Sequence, residues 1–448
     1  MSRAACWRRR RFRDEADDMH LAQRAYVLIV ITAVTAIAGI WSHDLVLSRG
    51  WHIPAVVMLA GIAFEAVRVR SSIVGFDVEI PARVYLGRAL SASFLVRNGT
   101  PRTAVVEFAP RLPEGFEALD PLRRVVAPPQ SVIRDSVTLL PIKLGRQSWP
   151  VMPGRLLGPL GIAWWPVDLR SSPDVTVAPD TLRVARVSPR GNPVGVRPRR
   201  AVGAGSELHQ LRNYVPGDAL ARIDWKATAR TRNLISREFS EDQHLDVLVV
   251  LDAGRFSRVR AGRLDRFGLY ANIAARFAEV VTPNDDRVGL LVFSDRPLAV
   301  CMPDRGLPAV IRVRRALEGI SLDLSESDVT AAALRARRML RHRGLIVLLT
   351  GLDDPTDALI RAVRLLAPPH LVVVAGVQNT EVAHLAREGA RDWLDPWVSL
   401  AAQEHEVRAD TRSVLLRRLG VPVVSAREER LEQAVIAQYE TLRRTRRV

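Results

Sequence analysis

The chain has 448 residues, 48% hydrophobic and 25% charged, enough for two or three domains with sizeable cores. Two cysteines, Cys6 and Cys301, exclude a disulfide framework and a cysteine-rich zinc site. The net charge of +17 is almost all arginine, since Lys143 and Lys226 are the only lysines. Without a basic stripe interleaved with aromatics it reads as composition bias, and no nucleic-acid partner is expected.

Residues 1–24 form a basic tail carrying Arg3, Arg8, Arg9, Arg10, Arg11, Arg13 and Arg24. Two apolar stretches follow within residues 25–70. Residues 25–41 hold no charge and residues 51–67 hold one, Glu65. Each has about the length needed to cross a bilayer. Between them stand His43, Asp44, Ser48, Arg49 and Gly50, with Trp41 and Trp51 where interfacial aromatics belong. Arg68 and Arg70 follow the second stretch, so arginines flank the pair on the outside and only Arg49 lies between. The positive-inside rule then predicts a multi-pass hairpin in the plasma membrane, with lipid around it and the bulk of the chain in the cytoplasm. Two alternatives stand beside it: a signal peptide ending near Ala36-Ile37-Ala38, and buried helices of a soluble domain.

Residues 72–180 change character. Leu90, Ala92, Phe94 and Val96 alternate with Ser91, Ser93, Leu95 and Arg97, the period of a half-buried strand, and Asn98-Gly99 follows as a turn signal. Residues 78–80, 105–108, 132–140 and 148–152 are further strand candidates, punctuated by prolines and glycines. Many short strands predict a β-sandwich-like domain of structural or adhesive role.

Residues 181–243 begin as a Pro/Arg-rich linker and continue into a distinctive segment from Gly203. Pro216-Gly217 suits the centre of a type II turn, and Asp218 is placed to cap a helix over 219–231. On that helix Leu220, Ile223 and Ala227 share one face. Asp218, Arg222, Lys226 and Arg230 share another. Stacked cations repel by a few tenths of a kcal/mol per pair, so the stripe asks for an acidic partner. That partner is either internal (Glu207, Glu238 or Asp242) or an acidic surface or phosphate on another molecule.

Arg212, Tyr214, Pro216-Gly217-Asp218, Arg222-Ile223-Asp224-Trp225-Lys226, Thr228-Ala229-Arg230 and Arg237-Glu238 together resemble the signature of the domain-of-unknown-function-58 family. Gly158-Pro159-Leu160-Gly161 is similar to a degraded second motif of that family. The resemblance implies a membrane anchor, a von Willebrand A-like domain, action alongside a MoxR-type AAA+ ATPase, and no established enzymatic activity.

Residues 244–448 alternate strands and helices. Apolar runs at 245–251, 288–293, 345–349, 371–377 and 421–424 read as strands buried on both faces. Helical stretches at 265–281, 308–319, 329–341, 355–367 and 427–443 complete a doubly wound parallel sheet. Its carboxyl edge gathers Asp252, Ser294, Asp295, Thr350 and Asp353, where such sheets bind ligands. A von Willebrand A-like domain often holds Mg²⁺ there through Asp-x-Ser-x-Ser, a threonine and an aspartate. Here Gly254 and Phe256 stand in place of the two serines, Ser327 is the candidate for the threonine, and Gly351 stands where the later aspartate is expected. Asp252, Ser327 and Asp353 are thus weak metal candidates, and neither Mg²⁺ nor another cofactor is expected.

No phosphate loop, no Gly-x-Ser-x-Gly elbow and no His-Glu-x-x-His occurs, and the nine histidines are scattered singly. The expectation is a membrane-anchored interaction or scaffold protein with a degenerate von Willebrand A-like domain. The alternative is a metal-dependent enzyme using Asp252, Asp295 and Asp353.

Overall fold

A computed structural model describes residues 19–41, 49–70, 74–108, 111–118, 123–171, 173–180, 202–203, 207–240, 245–322, 324–353, 357–387, 389 and 392–445. The expected linker 181–200, most of the basic tail, the polar residues His43, Asp44 and Ser48, and Asp242 lie outside the described residues. The chain forms two compact units. One holds the described residues up to Asp180 with Arg263–Gly268 and Leu317–Ser321, and the other holds the rest.

The first unit opens with two apolar helices, Gln23–Trp41 and His52–Arg70, of 19 residues each. Both are long and apolar enough to cross a membrane, about 28 Å at 1.5 Å per residue. Their hydroxyls are satisfied inside the helix, Thr32 donating to the Leu28 carbonyl at 2.7 Å and Thr35 to that of Ile31 at 2.9 Å. Ala25 and Gly39 are buried in the first helix, Gly61 and Glu65 in the second. Apolar side chains project outward from both helices, Ile40 to 81% exposure.

The β-rich part has three sheets. One runs, in spatial order, His20–Leu21, Ala163–Leu169, Met152–Leu157, Ala104–Phe108 and Arg123–Ala127. Another runs Val74–Glu79, Leu90–Asn98, Ser131–Pro141 and Phe116–Ala118. A third joins Arg83–Tyr85, Asp174–Ala178 and Gly145–Ser148. Ala92, Phe94 and Val96 are buried while Ser91 and Arg97 are exposed, which follows from the period-two pattern. Phe94 meets Phe108 of the neighbouring sheet edge-on at 5.7 Å, and Phe76 meets Phe108 at 5.4 Å. Asn98-Gly99 does not close a two-residue hairpin. The Asn98 amide is buried and donates to the carbonyls of Arg102, Ala127 and Pro128, steering the chain into the other sheet.

The second unit centres on a six-stranded sheet in the order Pro297–Asp304, Arg287–Phe293, Asp246–Asp252, Leu345–Leu349, Leu371–Val377 and Val423–Ala426. Five strands are parallel. Pro297–Asp304, a strand beyond the expected set, pairs antiparallel at one edge. Leu248, Val250, Leu291, Ile346, Leu348 and Val374 pack against helices Val329–Met339 and Ala358–Leu366 through Ala332, Ala336 and Val363. Helices Arg266–Val281 and Glu428–Thr445 meet through Phe277 and Tyr439, edge-on at 5.3 Å. The Tyr439 hydroxyl donates to buried Asp286 at 2.6 Å, and Arg443 and the Leu245 amide donate to the same carboxylate at 3.0 Å. Helices Thr380–Leu385 and Asp395–Arg418 are also present. Neither belongs to the expected set; in Asp395–Arg418 the apolar residues ring the helix instead of forming one stripe.

Candidate functional site

The segment expected to carry a docking function is a small folded element. Strand Glu207–Asn213 pairs antiparallel with Ile235–Ser240, which also pairs with Val202–Gly203. The excursion between them holds nearly every signature residue. Val215 accepts from the Asp218 amide at 3.0 Å, and Gly217 sits at φ +111°, as the centre of the predicted turn requires.

The helix departs from expectation. Asp218 does not cap it: Arg212 binds Asp218 with both terminal nitrogens at 2.8 Å, and the Val215 amide donates at 3.1 Å. Arg212 Nε donates to Glu238, which also accepts from Gln210 at 2.7 Å. A 3₁₀ turn, Leu220–Arg222, follows, and the backbone extends at Ile223. A second start is made at Asp224, which accepts from the Ala227 amide at 3.0 Å and caps helix Trp225–Thr231. A planar guanidinium clamping a carboxylate with two parallel bonds outcompetes a single cap bond, so Asp218 is withdrawn and the helix splits.

Two consequences follow. Lys226 and Arg230 share the helix, but Arg222 stands on the preceding turn, so the three-cation stripe is broken. Glu238 accepts from Arg212 and from Gln210. Arg222, Lys226 and Arg230 are all exposed. Leu220 was expected on the buried face but is 70% exposed, while Ile223 is buried. Trp225 is 65% exposed, and Leu211, Val215 and Leu234 are about half exposed. Tyr214 is half-buried, its amide donating to Leu234. The Arg212 guanidinium, with the Val215 amide, holds the Asp218 carboxyl below the usual range. The Ala227 amide, then Arg237 at 3.3 Å, does the same for Asp224.

The sheet edge is built differently. Asp252, 8% exposed, ends its strand. Its Oδ1 accepts from the Ser327 hydroxyl and, at 3.0 Å, from the Gly254 amide; its Oδ2 accepts from Thr350 Oγ1 at 2.7 Å. A side chain at position 254 would place its Cβ 2.0 Å from Ser327 Oγ, so glycine there and serine at 327 are matched. Ser294 donates to Asp295 at 2.8 Å, keeping that carboxyl low. Asp353 meets His405 Nε2 at 2.7 Å, and Arg412 donates to the Leu352 carbonyl at 3.0 Å. The structure thus joins Asp252, Ser327 and Thr350, with Asp353 turned to a helix the sequence did not reveal. One carboxylate meets two hydroxyls here, and each hydroxyl donates to a different oxygen of Asp252. Among the described residues no cluster of three or more His, Cys, Asp or Glu side chains could hold a metal ion.

Residues 210–418 match the family model described as "Protein of unknown function DUF58". The uncharacterized protein Rv1480 of Mycobacterium tuberculosis (strain ATCC 25618 / H37Rv) is 26% identical over 265 residues, covering 54% of this chain and 81% of that protein. The uncharacterized protein YeaD of Bacillus subtilis (strain 168) is 31% identical over 97 residues, 20% of this chain and 22% of that protein. Among solved structures, the match to the CARDB domain of the PF1109 protein from Pyrococcus furiosus covers 24% of this chain and 88% of that chain, at 16% identity and a TM-score of 0.16.

Proposed function

We propose that this chain is a membrane-anchored interaction protein that presents the surface around Trp225 to a cytoplasmic partner, a MoxR-type AAA+ ATPase. In this reading the two apolar helices cross the plasma membrane as a hairpin, and the excess of flanking arginines keeps the bulk of the chain in the cytoplasm. The α/β unit is then a von Willebrand A-like domain whose ion-binding edge has degenerated.

One observation carries the proposal. Leu220 and Trp225 project into solvent beside Arg222, Lys226 and Arg230, on a segment held by the Arg212–Asp218–Glu238 network. Trp beside Arg, exposed and preorganised, is the composition of an interface hot spot, and the cations select an acidic counterpart. Affinity capture from solubilised membranes tests it. The wild-type chain is expected to retain an ATPase, and a Trp225→Ala, Leu220→Ala double variant to lose most of it. A folded wild-type chain that captures no ATPase overturns the reading.

The alternative of a metal-dependent enzyme draws on the positions of Asp252, Asp295 and Asp353, each at the carboxyl end of an adjacent strand. It requires that purified protein bind a divalent ion and that Asp252→Ala abolish both ion and activity.

A further inference from the structure

Glu65 is the one charge in the interior of the second apolar helix and is 0% exposed. A carboxylate there is costly unless every oxygen finds a donor. Its Oε1 accepts from the amides of Leu160 at 2.8 Å and Ile162 at 3.1 Å, and its Oε2 from that of Ala163 at 2.9 Å. Trp165 Nε1 approaches Oε2 at 3.5 Å. Gly158 makes room, since a Cβ there would lie 2.2 Å from the Glu65 carboxyl carbon. The first helix grips the same turn. His20–Leu21 pairs with Trp164 and Ala163, the Ala22 amide donates to Ile162 at 2.7 Å, and Arg24 donates to the Leu160 carbonyl at 2.8 Å. Residues 160–164 are therefore tied to both helical segments through their own backbone, and the turn 158–163 is a receptor for Glu65.

The depth of the turn follows. Glu65 lies five residues inside the end of its helix at Arg70, roughly 8 Å along the axis. Whatever level Glu65 has in the bilayer, the backbone of 160–163 shares. Pro159 and Leu160, at the tip, are exposed. Arg24 donates to the Leu160 carbonyl, and Arg68 and Arg70 stand in the last turn of the helix that carries Glu65. Taking the helices as bilayer-spanning, as above, we propose that residues 158–165 form a membrane-interface element. Pro159 and Leu160 enter the boundary between headgroups and acyl chains, and Arg24, Arg68 and Arg70 take anionic phospholipid headgroups. The β-rich domain is then seated on the bilayer as one body with the hairpin.

The test uses the full chain with Cys6→Ser, Cys301→Ser and Leu160→Cys, nitroxide-labelled and reconstituted into nanodiscs of phosphatidylcholine with or without phosphatidylglycerol. A label at exposed Val132 is the aqueous reference. Collisions with oxygen are expected to exceed those with an aqueous nickel chelate at position 160 and to fall below them at 132. Phosphatidylglycerol strengthens the protection at 160, and Glu65→Ala abolishes it. A label at 160 as nickel-accessible as at 132 overturns the proposal, and equal protection in both lipids overturns its anionic part. Alkaline extraction of native membranes separates the two readings. A chain that is released refutes the hairpin itself, whereas a retained chain with a wet label at 160 refutes the interface element alone.

Discussion

The carboxyl edge of the parallel sheet and the segment 207–240 both gather polar residues, but they use them in opposite ways. At the sheet edge the polar groups face inward and satisfy one another: Asp252 is closed over by Ser327, Thr350 and the Gly254 amide. In the segment Arg212, Asp218 and Glu238 neutralise one another to hold a shape, while Trp225, Leu220 and the cations Arg222, Lys226 and Arg230 stay outside. Polar residues that find all their partners within the chain stabilise it. Apolar and charged groups left in solvent on a stiff support are positioned for another molecule.

The largest effect is expected at Asp252. Asp252→Ala strands the donors of Ser327, Thr350 and Gly254 and is expected to destabilise the α/β unit by about 2–4 kcal/mol, read as a lower denaturation midpoint of the full chain. An unchanged midpoint would mean the edge is not structural. Next in size, Trp225→Ala with Leu220→Ala should leave that midpoint in place and weaken ATPase capture about tenfold or more. Loss of stability instead would place these side chains in the fold, not the interface.

Smaller effects sharpen the contrast. Arg212→Lys keeps the charge but loses the bidentate clamp, so amide exchange at Val215 and Asp218 should quicken and capture should fall severalfold while the sheet stays protected. The two regions should also separate on a pH scale. Asp218 and Asp224 are held below their ordinary 3.8 by Arg212 and by the Ala227 amide respectively. Their stabilising effect is complete above that value and is lost as pH falls through the depressed values. Order in the segment, followed by Trp225 fluorescence, should therefore be flat at neutral pH and decline only in strong acid. His370, kept below its ordinary 6.5 by burial and then by Arg337, belongs to the α/β unit. The unfolded chain protonates first, so stability is complete above about 6.5 and erodes below it. This is the mildest effect, and His370→Gln should remove it.

Much of this was legible in the chain. Buried strands are continuous apolar runs, so 246–252, 287–293, 345–349 and 371–377 stand out. Half-buried strands alternate, so the β-rich part shows its period. The antiparallel edge strand Pro297–Asp304 carries its short apolar run between Pro297 and Pro303, residues that argue against a strand in a central sheet position, and helix Asp395–Arg418 lacks a stripe. In the signature segment the residue list was readable but its wiring was not. Asp218 has a good cap composition and a good clamp composition, and only the approach of Arg212 across the hairpin decides between them.

By itself the sequence determined what each stretch could bury: two spans apolar on every side, a set of alternating strands, and a series of strands buried on both faces. Those properties are local, set by the period of side chains along a few turns or a few pleats. Which oxygen meets which donor was decided only in three dimensions. Glu65 finds the amides of Leu160, Ile162 and Ala163 nearly a hundred residues away, and Asp252 finds Ser327 and Thr350 at separations of 75 and 98 residues. A hydrogen bond is indifferent to distance along the chain and demanding of distance in space, and that is why the pattern foretold the elements and only the packing of the elements made the sites.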